Sequence, residues 1–494
     1  MSNISEQLVE EFLTAYRTSG VYLHNRIARL AELSMARDQE LAKATSKVLF
    51  TKLVEPLADS FEPSAVSLYN RVLAQVIQVC RKDTQAAGLD RELNAFGLTN
   101  EEHLLARVEK LRTSYQSIKF SDSKLSIKNV IVLSRVTIGA DIAITSLVIG
   151  RMKREFPLAE IVLIGGAKAI ELFRGDSRVR FEEMGYSRSG STIDRLSTWI
   201  ELLRCIRRLT AGLDRDEYLI VDPDSRLTQL GLLPLEQTDD GVGDRHGETE
   251  ADASINRYLF FPSREYGSDT SSSLGELTSL WLDELFASHV RTYPGVSLST
   301  EDIEVGRNLV SRIRRGSGPL ITINFGVGGN DQKRVSEDFE AELVTQLIKR
   351  GASIVLDKGA GEHEKQRADA VVARATQLEL DGRLIRCVEF DENRLNSGST
   401  ADQPSDILVW NGRIGILAAL IRESDLYIGY DSSGQHIAAA LGVKCIDVFA
   451  GFSSQRFVDR WRPDGRAETR VITVDTAQTT DLVQQILADV NEML

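Results

Sequence analysis

The stretch Ser424 to Gly465, SDLYIGYDSSGQHIAAALGVKCIDVFAGFSSQRFVDRWRPDG, limits the folds open to this chain more than any other. An apolar run, Leu426 to Ile428, stops at Gly429 and Asp431, and a small-residue turn of Ser432, Ser433 and Gly434 follows. Ile437 to Leu441 then has helix-forming composition closed by Gly442, and a second apolar run spans Val443 to Phe449. Strand, turn, helix and strand in that order aim the turn's N–H groups and the positive end of a helix dipole at one point, which suits an anion such as a diphosphate. Ser and Gly are also ordinary capping residues, so a plain strand–helix unit with a capped helix is the alternative. His436 argues for the anion site, because in the first helical turn it can donate to a phosphate or sugar oxygen.

The rest of the chain divides by period. Residues 5 to about 118 repeat apolar side chains at three and four residues, as in Leu8, Val9, Phe12, Leu13 and Tyr16, with Pro56 and Pro63 as punctuation. The pattern predicts an all-α N-terminal domain over 1–125, a scaffold, self-association or partner-docking module without a chemical motif. From Lys128 short β-branched runs alternate with helical segments, the doubly wound α/β pattern in which ligands sit at the carboxyl ends of strands. Two such domains are expected, over 126–298 and 299–494, with TYPGVSLST (292–300) as a hinge.

Composition excludes several classes. A net charge of -13 argues against a general binder of nucleic acid or anionic membrane. The four cysteines show no CxxC or Cys/His spacing, so neither a zinc site nor a disulfide framework is expected, and a reducing cytoplasm fits. Acidic residues interrupt the apolar pattern of MSNISEQLVEEFLTAY, so no secretory leader is expected, and no run of 18 apolar residues suggests a membrane span.

Further candidates lie at predicted strand ends. Asp141 follows the run Asn129 to Leu133, where helix capping is the bland explanation. Asp222-Pro223-Asp224 has the DxD form of metal-dependent sugar transfer, although a proline turn explains it as well. Arg264, after the run YLFFPS, is a candidate acceptor contact. Phe325-Gly-Val-Gly-Gly-Asn-Asp-Gln-Lys333-Arg334 is a Gly-rich loop permitting close approach to a phosphate, with Lys333 as countercharge. Segments 234–255, which include His246, and 391–408 read as polar loops.

These motifs together resemble glycosyltransferase family 9, the heptosyltransferases of lipopolysaccharide core assembly. Asp431, His436, Ala439 to Gly442, Phe449 to Gly451, and Trp461, Pro463 and Gly465 follow its C-terminal signature, with Ser433 where a glycine is expected and Gly434 one place later. Arg135, Ile138, Gly139, Asp141 and Thr145 follow its N-terminal signature, with Ala140 inserted before the aspartate. Lys333 and Arg334 match the family's Lys-Arg, and Lys358-Gly-Ala-Gly-Glu362 resembles its Gly-Gly-Pro-Gly-Glu turn.

The resemblance spans roughly residues 128 to 490. It implies a GT-B fold, two Rossmann-like α/β domains facing a cleft, here preceded by the all-α domain. It further implies inverting, metal-independent transfer of heptose or a related sugar from a nucleotide-diphosphate sugar to a glycan, glycolipid or protein hydroxyl. Asp141 would be the base. Lys333, Asp431, Ser432, Ser433, Gly434, His436 and Glu362 would hold the donor, with Glu362 on a ribose hydroxyl or capping its own helix. No cofactor is expected beyond the nucleotide sugar as co-substrate, and the location implied is cytoplasmic or peripheral at the membrane's inner face. A GT-B-like sugar-nucleotide epimerase or hydrolase, and a non-catalytic nucleotide-sugar-binding module, remain the alternatives.

Overall fold

The computed structural model describes residues 2–114, 126–236, 258–313, 318–380, 382–396, 405–474 and 479–494. His246, most of the 234–255 loop and the middle of the 391–408 loop lie outside them. Seven α-helices among the described residues occupy Ser2–Ser114, among them Pro63–Cys80, whose buried face runs from Val66 through Val72 and Val76 to Cys80. Their apolar side chains share one cluster with Ile131, Leu133, Trp199 and Phe260, so the helical part rests directly on one face of the first sheet.

That sheet holds β1 (Asn129–Leu133), β2 (Glu160–Gly165), β3 (Val179–Glu183), β4 (Tyr218–Asp222) and β5 (Tyr258–Phe260), ordered β3-β2-β1-β4-β5 and parallel throughout. Its inner strands β1 and β4, with β2, are near-continuous apolar runs because both faces are covered, whereas the edge strand β3 (VRFEE) is only partly buried. The second sheet is built from β6 (Leu320–Asn324), β7 (Ser353–Asp357), β10 (Cys387–Asp391), β11 (Ile407–Asn411), β12 (Leu426–Tyr430), β13 (Lys444–Ala450) and β14 (Thr469–Val474). Its order is β10-β11-β7-β6-β12-β13-β14, again parallel, while β8 (Glu379–Leu380) and β9 (Arg383–Leu384) form a separate small hairpin. Two doubly wound α/β sheets behind a helical module is the architecture the sequence pattern implies.

In such sheets the crevice for a ligand lies where the strand order reverses. The reversal falls between β1 and β4 in the first sheet and between β6 and β12 in the second. The segment 292–299 runs along the first domain, where Gly175 N–H donates to the Ser297 carbonyl at 2.7 Å and Ser297 N–H to the Leu172 carbonyl at 2.8 Å. Asp302, fully buried, then pairs with Arg174 of the first domain at 2.6 Å and Arg413 of the second at 3.0 Å. The terminal helix Thr479–Met493 packs in its own domain, where Leu482, Val483, Ile486 and Leu487 join Leu343 and Val344. No helix of the described residues is long and apolar enough to cross a membrane.

Candidate functional site

In the second domain, the loops after β6 and β12 flank the reversal point. The helix Ser433–Leu441 begins there, and its N-cap residue Ser432 makes no side-chain capping bond; the Ser432 hydroxyl pairs with the buried Tyr427 phenol instead. Its first N–H groups are therefore left for another acceptor. Lys333, from the loop after β6, contacts the Asp431 carboxylate, and its ammonium stands 5.3 Å over the Phe457 ring. Gln435 donates to the same carboxylate at 3.0 Å. A left-handed Gly442 (φ 73°) closes the helix.

The displaced glycine of the turn has a steric cause. A Cβ on Gly434 would stand 2.0 Å from the Tyr427 hydroxyl, and one on Gly429 would stand 2.4 Å from it. The phenol of Tyr427, rooted in β12 and fully buried, fills the space under the turn, so glycine is required at 434 and serine is tolerated at 433. Beside it, Asp447 in β13 is also fully buried with both carboxylate oxygens unpartnered, and burial with the nearby Asp431 charge pushes its carboxyl well above the usual range.

Glu362 is exposed at the start of its helix and pairs with Lys365 at 3.5 Å. Two residues on, Glu364 takes the more consequential position. One of its oxygens accepts from the N–H groups of Val327 and Gly328 at 2.9 and 3.0 Å, the other from Ala360 and Gly361 at 2.9 and 3.2 Å. Burial pushes this carboxyl up, but the four backbone donors outweigh it and hold it below its ordinary value. Glu364 thus lashes together the two glycine loops at the strand ends. The sequence signal was present, a glutamate three residues after Gly361 at a helix start.

In the first domain Asp141 lies one turn inside the helix rather than at its cap, in a wide π-type turn Asp141–Thr145. It is 1% exposed. Its carboxylate accepts from the Arg135 N–H at 2.6 Å, the Ser134 hydroxyl at 2.8 Å and the Thr145 hydroxyl at 2.9 Å. Burial raises its pKa to about 6 despite those donors. The side chain is turned back onto the loop after β1, where Val136 is held at φ 71°, an unfavourable value for a β-branched residue.

Asp222 and Asp224 do not converge on a common point for a cation. Asp222 is taken by the Ser225 N–H and the Thr228 and Tyr258 hydroxyls. Asp224 is taken by Arg135 at 3.2 Å, Arg264 at 2.9 Å and Ser263 at 2.8 Å. Arg264 itself is 5% exposed, so this arginine is committed to Asp224 instead of lying open to an acceptor. Among the described residues no group of three or more His, Cys, Asp or Glu side chains is placed to hold a metal.

The two halves meet directly. A Cβ on Gly139 would stand 2.9 Å from the His436 ring, so only glycine allows the loop of the first domain to lie on the helix of the second. His436 is 4% exposed and edge-on to Trp461 at 6.0 Å, and burial with the nearby Lys333 charge lowers its pKa to about 3. Ile142, Ile437, Ala438 and Phe457 continue one apolar cluster across this contact. The expected cleft is a closed seam along this line.

No protein-family profile matches the sequence, and no curated protein matches it either. Among solved structures, the chain is similar to a glycosyl transferase family 9 protein from Veillonella parvula, at 13% identity and TM-score 0.49, over 75% of this chain and 92% of that one. It is likewise similar to E. coli ADP-heptose LPS heptosyltransferase II, at 16% identity and TM-score 0.49, over 74% and 98% of the two chains. A third, E. coli heptosyltransferase WaaC with ADP, aligns at 13% identity and TM-score 0.44 over 74% and 100%.

Proposed function

We propose that this chain is a glycosyltransferase of the GT-B kind, moving a sugar from a nucleotide-diphosphate donor to a hydroxyl acceptor. The observation that carries the reading is the uncapped N-terminus of the helix Ser433–Leu441 at the strand-order reversal, with Lys333 beside it and the Asp141 loop of the other domain lying against it. An uncapped helix start with a nearby ammonium favours the negative charge that develops on a leaving diphosphate. Asp431 would orient Lys333, and the backbone of Ser432 to Gly434 would receive the phosphate oxygens. Neutral His436, its pKa far below physiological pH, would accept from or donate to a donor hydroxyl without adding charge.

Asp141 would take the acceptor's proton as its oxygen attacks the anomeric carbon with inversion. A carboxyl raised to about 6 is closer in basicity to a hydroxyl undergoing attack than an ordinary aspartate, while still ionised at neutral pH. Because the seam is shut along Gly139 and His436, donor and acceptor enter only when the domains part, and reclosure then excludes water from the donor. Lys333 and the helix start supply positive charge at the leaving group, so the reading is metal-independent. Heptose or a related sugar is the donor sugar proposed, in assembly of lipopolysaccharide or another surface glycan.

A thermal-shift screen of nucleotide sugars, followed by nucleotide release with and without acceptor hydroxyls, tests this. Acceptor-dependent release that survives a chelator is the expected result. Release without acceptor would move the chain to the hydrolases or epimerases, and a screen in which no nucleotide sugar shifts the melting curve would sink the donor site.

A further inference from the structure

The helical domain touches more than the sheet it rests on. Between the helices ending at Ala58 and beginning at Pro63, the turn Asp59–Glu62 leaves the helical core. Phe61 stands at φ 57°, a left-handed conformation that a bulky side chain adopts only when its surroundings impose it. Its ring is 1% exposed and belongs to the apolar cluster of the two α/β domains, with Ile437 and Phe457, rather than to the helical one. It meets Trp461 edge-on at 6.2 Å, and Trp461 is the ring that meets His436.

The turn is also tied down on both sides. From the second domain, Arg456 pairs with Glu62 at 2.9 Å, donates to the Phe61 carbonyl at 3.4 Å and donates to the Ser268 carbonyl of the first domain. From the first domain, Arg264 faces Asp59 at 3.8 Å and Arg226 pairs with Glu55 at 3.2 Å. Just upstream, the helix widens into a π-type turn at Leu49–Val54. One short segment of the helical domain therefore joins both α/β domains beside the shut seam.

We propose that this turn is a clasp: the helical domain holds the two α/β domains closed over the uncapped helix start, and its release opens the seam to a nucleoside diphosphate. The identity of the ligand rests on the donor-site reading above; the clasp itself does not. A ligand whose binding-competent state is scarcely populated binds with its affinity reduced by that fraction, so loosening the clasp raises apparent affinity without a new contact. The helical module is then a regulatory part, and whatever favours the released form of the turn shifts the site toward its open state.

The test uses the full chain with Phe61→Ala and, separately, Glu62→Gln, which spares the apolar packing. Amide hydrogen exchange is read at 138–145 and 433–441, and ADP and UDP serve as calorimetric probes. Both variants are expected to speed exchange on the two sides of the seam and tighten binding of whichever nucleotide binds, by about tenfold for Phe61→Ala and about two- to fivefold for Glu62→Gln, whose pair with Arg456 is half-exposed. Unchanged exchange at the seam in Glu62→Gln, or weaker nucleotide binding in both variants, overturns the clasp. Faster seam exchange with neither nucleotide bound by any form leaves the clasp standing and removes the donor reading. Nucleotide binding that is identical in all forms with an unchanged seam does the reverse.

Discussion

The first and second α/β domains end their key strands in the same way, with a small turn leading into a helix, yet they treat the polar groups there oppositely. After β1, Asp141, Ser134, Thr145 and the Arg135 N–H satisfy one another, and Asp224 does the same for Arg135, Arg264 and Ser263. After β12, the Gln435 side-chain oxygen and both Asp447 oxygens are buried without partners, and the helix is uncapped. Unmade bonds at buried polar atoms cost free energy and are kept where something else completes them. The difference teaches that the first domain offers a pre-set, self-contained carboxylate, while the second leaves its helix N–H groups and several buried acceptor oxygens unpaired.

If that division is right, the two halves break separately. Asp141→Asn keeps shape and loses basicity, so transfer should fall by about 10² to 10⁴-fold while nucleotide binding by the second domain is unchanged. Initial rates beside calorimetric titration check it; retained turnover would take Asp141 out of the chemistry. Lys333→Met attacks the other half and also strips Asp431 of its cation. Transfer should drop by about 10²-fold, and here nucleotide affinity should fall with it. A variant that lost rate but kept affinity would put the charge on the leaving group elsewhere.

The same contrast predicts a pH profile. With Asp141 raised to about 6 and His436 lowered to about 3, the rate should rise with pH through about 6, about tenfold per unit below it, and then stay level with no second histidine step. Stability carries the opposite sign. A carboxyl raised in the folded state above its ordinary 3.8 contributes stability that is fully present below that value and is lost as pH rises through about 6. Asp141→Asn should flatten this part of the unfolding-versus-pH curve, as read by denaturant titration, and an unchanged curve would mean that the carboxyl is not held there.

Much of this architecture was legible because strand ends, glycine turns and helix periods are local signals. Asp431, Lys333, His436 and the Ser432–Gly434 turn do come together as the pattern of strands and turns required. What local reading missed came from the direction in which side chains point and, for Arg264 and Glu62, from contacts distant in sequence. Ala140 before Asp141 moves the aspartate about 100° around the helix, and the structure has it facing its own β1 loop. The shift of glycine from 433 to 434 made sense only once the Tyr427 hydroxyl was seen beneath the turn. Arg264 reads from the sequence as a candidate acceptor contact, yet its partners Asp224 and Asp59 lie far away in the sequence, as does the Arg456 that receives Glu62.

Glu364 sharpens the comparison at the smallest scale, because a single carboxylate ties two loops of the second domain together. Its four backbone bonds hold the loops 325–330 and 358–361 side by side at the ends of β6 and β7. Glu364→Gln replaces one accepting oxygen with a donor that faces two N–H groups, so two bonds are lost and two like dipoles oppose each other. A loss of about 1–3 kcal/mol of local stability is expected, since bonds to a charged acceptor are among the stronger ones. Hydrogen exchange at Val327, Gly328, Ala360 and Gly361 should quicken while β1 and the Asp141 loop are untouched, and nucleotide affinity should weaken modestly. Glu362→Gln, at an exposed side chain two residues away, should do neither. If instead Glu362→Gln weakens nucleotide binding and Glu364→Gln does not, the donor's ribose is held by the exposed glutamate, and the loops need no lashing to receive it.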